Sequence, residues 1–149
     1  LNMFRPANIL VATDLSKESD RAISAALDIA GKYRSHVELM YVLDDVRQCS
    51  VDYCIPQDEV DSAKSRMLKE AKRMLKEQIS RIPVHPKVDI RETVKFGDQL
   101  TEILTEVEKN KIDLLVAAPH EKHKAWHAFS HLTDELARKT GCETLLVRH

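Results

Sequence analysis

At 149 residues, with 43% apolar and 32% charged side chains, the chain is long enough to bury one core without disulfide or metal staples, and no shift in composition marks a second domain. A formal net charge of -1 excludes a general nucleic-acid or membrane-surface binder, which would carry a basic excess. No apolar run approaches the roughly eighteen residues of a membrane span and no signal pattern opens the chain, so a cytoplasmic protein is expected.

The run NILVAT, Asn8 to Thr13, reads as a first buried strand ending at Asp14. Ser16 or Ser19 then caps a helix whose apolar positions Ala22, Ile23, Ala26, Leu27, Ile29 and Ala30 recur at helical spacing, with Gly31 or the polar residues 32 to 35 ending it. VELMYVL, Val37 to Leu43, is a second strand continuous enough to be central. A β-α-β unit within about forty residues predicts a parallel pair with a right-handed crossover.

Asp44 to Pro56 is the least regular segment, and a long helix follows from about Gln57 to Arg81. Its predicted buried stripe is Val60, Ala63, Met67, Ala71, Met74, Leu75 and Ile79. Pro83 and Pro86 bracket the turn into a third strand over Lys87 to Val94, where apolar and charged residues alternate as at a sheet edge. Asp98 can cap a helix with Leu100, Ile103, Leu104 and Val107 inward, ended by Asn110 and Lys111. Leu114 to Ala118 is a fourth buried strand, a helix runs from about Leu132 to Lys139, Gly141 stops it, and Thr144 to Arg148 is a last strand. This order predicts an α/β fold over residues 1–149, with a doubly wound, mostly parallel five-stranded sheet and helices on both faces.

Three cysteines are an odd number, which does not suit a disulfide framework. Cys49 and Cys54 can pair under oxidation, but two free loop thiols are the expectation in a reducing compartment.

In an open α/β sheet, ligands sit where a strand's carboxyl end feeds a helix, which directs attention to the segment IDLLVAAPHEKHKAWHAFSHL. Pro119 stops its strand, and histidines, lysines and a tryptophan follow. No glycine lies between Gly97 and Gly141, although a backbone that wraps a phosphate closely favours glycine. There is no nucleophile elbow, no P-loop and no Ser-His-Asp order, so no catalytic residue is assigned. Trp126 and Phe129 are read as core packing, with closure of a crevice or contact with a partner subunit as the alternative.

The pieces NILVATDLSKESDRAISAALDIA, VELMYVLDDV, VKFGDQLTEILTEVEKNKIDLLVAA and LARKTGCETLLVR together resemble the universal stress protein (UspA-like) family over nearly the whole chain. The resemblance implies a flavodoxin-like or Rossmann-like sandwich, akin to the adenine nucleotide alpha hydrolases. It also implies a homodimer paired through the final strand, here Thr144 to Arg148, and a role in tolerance of stress through binding and assembly, with no shared catalysed reaction. Unidentified protein partners fit that role. Members that hold ATP carry G-x-x-G, about nine residues, then G-S or G-T after the fourth strand. Those places fall here on Ala118, Glu121, Ser130 and His131, so none of the three glycines is present. Ala118 resists the tight backbone path and Glu121 places a carboxylate near phosphate oxygens, so no cofactor is expected. The alternative is an ATP-binding switch with slow hydrolysis. Thr13 and Asp14 would then lie at the first-strand turn, Val42 beside adenine, and Ser130 and His131 at the phosphates.

His120, His123, His127 and His131 are spaced three, four and four apart. On a helix these spacings fall within an arc of about 80°, so neighbours could share zinc, copper or nickel, with Glu121 or Asp134 completing the shell. Pro119 opposes an uninterrupted helix from residue 120, and solvated or pH-sensing histidines are the other reading.

Overall fold

The computed structural model describes residues 3–44, 54–83, 87–119 and 126–148, with the backbone alone over 126–131. Five parallel strands lie in the order β3-β2-β1-β4-β5. They are β1 (Asn8–Ala12), β2 (His36–Leu43), β3 (Ile90–Phe96), β4 (Leu114–Ala117) and β5 (Glu143–Leu146). Between them run α1 (Lys17–Tyr33), α2 (Gln57–Ser80), α3 (Gln99–Lys109) and α4 (Trp126–Lys139). The predicted α/β class, the five strands and their alternation with helices are all found.

β1 and β4 are apolar at nearly every position because both faces of the sheet are covered. On one face Ile9, Val11, Val37, Leu39, Leu114 and Val116 pack with Ile23, Leu27 and Leu75 of α1 and α2. On the other, Leu10, Met40 and Leu115 pack with Ile103, Val107 and Leu136 of α3 and α4. That division follows from right-handed crossovers, since the chain steps outward from β1 to β3 and then returns across β1 to β4 and β5.

The helix boundaries have local causes. Ser16 caps α1 by accepting from the Ser19 amide, and Arg34 takes the left-handed conformation with its N–H on the Ala30 carbonyl, so α1 outlasts Gly31. Gly97 has φ of +144°, a conformation that L side chains rarely adopt, and its N–H bonds the Leu43 carbonyl at 2.9 Å before Asp98 caps α3.

Several expected boundaries move. β3 begins at Ile90, three residues after Lys87, because its register is set by β2, where the Val37 amide pairs with the Asp89 carbonyl. α4 begins at Trp126, six residues before Leu132, and β5 covers Glu143–Leu146, leaving Val147 and Arg148 beyond it. The predicted α2 stripe is too wide: Val60, Ala71 and Leu75 are buried, but Met67 and Met74 are exposed beside Tyr41 and Leu43. Helical period fixes the direction of a stripe, while the neighbouring elements decide how much of it is covered. Cys142 is free, whereas Cys54 is disulfide-bonded, which reverses the expectation of a free thiol there; Cys49 lies outside the described residues.

Candidate functional site

The strand order reverses between β1 and β4, which places a ligand crevice at their carboxyl ends. Val11 lies opposite Val116 in the parallel register, so the next residues, Thr13 and Ala118, leave the sheet side by side. The fold therefore brings Thr13, Asp14 and Ala118 to one edge. Val42 is also at this end, but its side chain packs in the α3/α4 core while that of Ala118 packs in the α1/α2 core. The sheet thus separates these two predicted nucleotide contacts, and both are buried.

The polar groups at the β1 turn are engaged within the chain. The Thr13 hydroxyl donates to Gln78 Oε1 at 2.9 Å and accepts the Leu15 amide at 3.0 Å. Gln78, buried at 1% exposure, donates from Nε2 to the Ser16 carbonyl at 3.3 Å and to Asp20 Oδ1 at 2.8 Å, and Arg81 joins Asp20 at 3.2 Å. Asp14 Oδ1 accepts from the Ser16 amide at 3.0 Å, the Ser19 hydroxyl at 2.5 Å and the Ser16 hydroxyl. The Ser16 hydroxyl in turn accepts the Ser19 amide at 3.2 Å. At a helix N-terminus, amide and hydroxyl donors are what an anion would seek, and here a carboxylate of the same chain holds several of them. Leu15 is left-handed at φ 68°, a strained conformation for leucine that this web of bonds maintains. Burial, and then the charges of Asp14 and Asp44, raise the Tyr41 phenol above its ordinary value.

His120 and His123 lie outside the described residues. His127, Ser130 and His131 fall on the helical backbone of α4, and their side chains are outside the description. Of the four histidines, the described helix therefore contains His127 and His131, which are four residues apart. Among the described residues, no group of three or more His, Cys, Asp or Glu could hold a metal ion, and no helix is long and apolar enough to cross a membrane.

A second polar cluster lies between β2, β3 and α3 and has no sequence signature. Glu38, in the middle of an otherwise apolar strand, is 6% exposed, and Glu106 on α3 is 3% exposed. Glu38 Oε1 accepts from the Thr93 hydroxyl at 2.7 Å, and its Oε2 accepts from Asn110 Nδ2 at 2.9 Å. The same Asn110 amide donates to Glu106 Oε1 at 2.6 Å. Burial alone would raise Glu38, but hydrogen bonds from Glu106, Thr93 and Asn110, with the Arg91 charge, hold its carboxyl below the ordinary value. Burial, the bond to Glu38 and the Glu38 charge raise Glu106, against the opposing charges of Lys95 and Lys109. The contact thus pushes the two carboxyl groups apart, Glu38 downward and Glu106 upward. In the sequence Glu106 reads as a charged position beside the apolar stripe, and a partner 68 positions away cannot be inferred from helical spacing.

The model of a family described as the Universal stress protein family matches residues 6–148. A search of curated proteins finds no match. Among solved structures, the universal stress protein UspA from Lactobacillus plantarum is 20% identical, with 98% of this chain and 100% of that one covered and a TM-score of 0.73. The hypothetical protein MJ0577 is 18% identical, with 98% of each chain covered and a TM-score of 0.77. A universal stress protein in complex with cAMP is 20% identical, with 97% and 98% covered and a TM-score of 0.61.

Proposed function

The chain belongs to the universal stress protein family, and from that membership we propose that it serves a cytoplasmic stress response by binding and by homodimer assembly, without turning over a nucleotide. The observation that carries the reading is the closed turn after β1. Asp14, Ser16 and Ser19 bond one another and Thr13 bonds Gln78, so these hydroxyl groups of the turn have partners within the chain. Ala118 adds to this, since it is 2% exposed and packs in the α1/α2 core where a glycine would leave room for backbone to approach a phosphate. Calorimetric titration with magnesium and ATP is the test. No saturable heat is expected below millimolar concentration, and micromolar affinity with phosphate release would overturn the reading.

Assembly is assigned to β5, an edge strand whose residues Thr144, Leu145 and Leu146 are only half-buried. Pairing this edge with its copy about a two-fold axis would cover an open ladder of backbone groups. Light scattering at tens of micromolar is expected to give a dimer mass, and a monomer there would refute the assignment.

A second reading is favoured by the relative solved in complex with cAMP. A single cyclic phosphate asks less of the loop after β4 than a triphosphate does. Saturable cAMP binding without ATP binding in the same calorimeter would make this chain a nucleotide-binding module.

A further inference from the structure

At the amino ends of β1, β2 and β3, on the opposite edge of the sheet from the crevice, lies a cavity of about 340 Å³. Glu38, Asp89, Arg91 and Asn110 line it, together with Ile9 and Ile112. That volume is near the lower end of small-molecule sites, which run from about 300 to 1,000 Å³.

Glu38 is held in the network with Thr93 and Asn110, but the other two charges of this cavity, Asp89 and Arg91, stand outside that network. Arg91 is the register partner of Glu38 across the β2–β3 ladder, yet it acts on Glu38 through its charge alone, and Thr93 and Asn110 supply the hydrogen bonds. The guanidinium makes no hydrogen bond or ion pair with any described residue, and neither does the Asp89 carboxylate. Asp89 and Arg91 are two residues apart on an extended chain, so both point to the same face of β3 with their Cα atoms about 7 Å apart. A cation with five donors and an anion with open acceptors therefore border one cavity without satisfying each other. Behind them, Glu38 keeps its charge at nine-tenths burial and retains lone pairs beyond those that Thr93, Asn110 and Glu106 engage. Ile112 supplies an apolar wall on the same side of the sheet as Glu38.

We propose that this cavity binds a small zwitterion of the α-amino-acid type, with its carboxylate on Arg91, its ammonium group on Asp89 and Glu38, and its side chain against Ile112. A planar guanidinium matches a carboxylate through two parallel hydrogen bonds, and the two acidic groups select the positive pole. A polyanion such as a nucleotide triphosphate is disfavoured, because its charge would meet Glu38 and Asp89. The site is on the far edge from the crevice, so neither result of the ATP titration bears on it.

Amide NMR with L-alanine as the probe tests the proposal, with acetate and methylammonium as ligands that carry one pole each. Saturable shifts at Asn8, Val37, Arg91 and Asn110 are expected at millimolar L-alanine, with each single-pole ligand binding about tenfold more weakly or worse. Arg91 and Asp89 are exposed side chains, so Arg91→Gln and Asp89→Asn keep the fold, and each is expected to weaken L-alanine about tenfold. The absence of shifts at tens of millimolar, acetate binding as tightly as L-alanine, or undiminished binding in Arg91→Gln would each overturn it.

Discussion

Against α1 and α2 the sheet lays Ile9, Val11, Val37 and Leu39, and a buried polar contact on that side is the neutral pair Thr13 and Gln78. Against α3 the corresponding space holds two carboxyl groups, Glu38 and Glu106, tied together through Asn110, with Thr93 donating to Glu38. The two faces thus solve the burial of polar atoms differently. A hydroxyl donating to an amide oxygen is satisfied at every ordinary pH, whereas two carboxyl groups are satisfied together only while one of them holds a proton. The first face should therefore respond to loss of volume and the second to pH.

The largest effect is expected on the apolar face. Leu27 of α1 is 1% exposed within that core, and Leu27→Ala removes buried methyl groups and leaves a cavity. A loss of about 2–5 kcal/mol is expected in urea unfolding, with nearly the same value at each pH. A loss that varied strongly with pH would mean that the two faces are coupled and that the contrast drawn here is false.

Glu106→Gln sharpens the comparison on the other face. Glu106 is raised, so the folded chain holds its proton to higher pH than the unfolded chain. Its stabilising contribution is complete below the ordinary glutamate value and is lost as pH rises through the folded value. Glu38 is lowered, so its contribution is present above the ordinary value and is lost as pH falls through its folded one. Glutamine at position 106 stays neutral and can still donate to Glu38. Unfolding free energies between about pH 4 and about pH 7 should accordingly decline less with rising pH in the variant, with the acid limb from Glu38 retained. Parallel curves for the two proteins would show that Glu106 carries no proton in the fold.

The apolar frame was legible because the ladders between neighbouring strands satisfy the backbone polar groups, so a strand buried on both faces shows itself as a run such as ILVA or LLVA. The carboxyl-edge site was legible in part. Strand order makes neighbours of Thr13, Asp14 and Ala118, but the closing of that turn depends on Gln78, a residue 65 positions from Thr13 that carries no motif. Glu38 was hidden for the opposite reason. It interrupts an apolar strand, and Glu106, Thr93 and Asn110, reached through tertiary packing, make its burial tolerable. Met67 and Met74 show the limit from the other side: they lie at helical spacing for a core, yet β2 leaves them lining an open groove with Tyr41 and Leu43.

The smallest effect concerns how α3 is held on the second face at its far end from Asn110. Asp98 Oδ2 accepts from the Thr101 amide at 3.0 Å and from the Thr101 hydroxyl at 2.8 Å, and these bonds hold its carboxyl below the ordinary range. The side chain is exposed, so its value lies in satisfying an N-terminal amide and not in burial. Asp98→Ala should cost about 1 kcal/mol, while Asp98→Asn, which keeps the acceptor and loses the charge, should cost well under half of that. Thermal melts of the two variants separate a cap from a charge effect. If Asn costs as much as Ala, the helix end is stabilised by the anion on the helix dipole, and the bond to Thr101 is incidental.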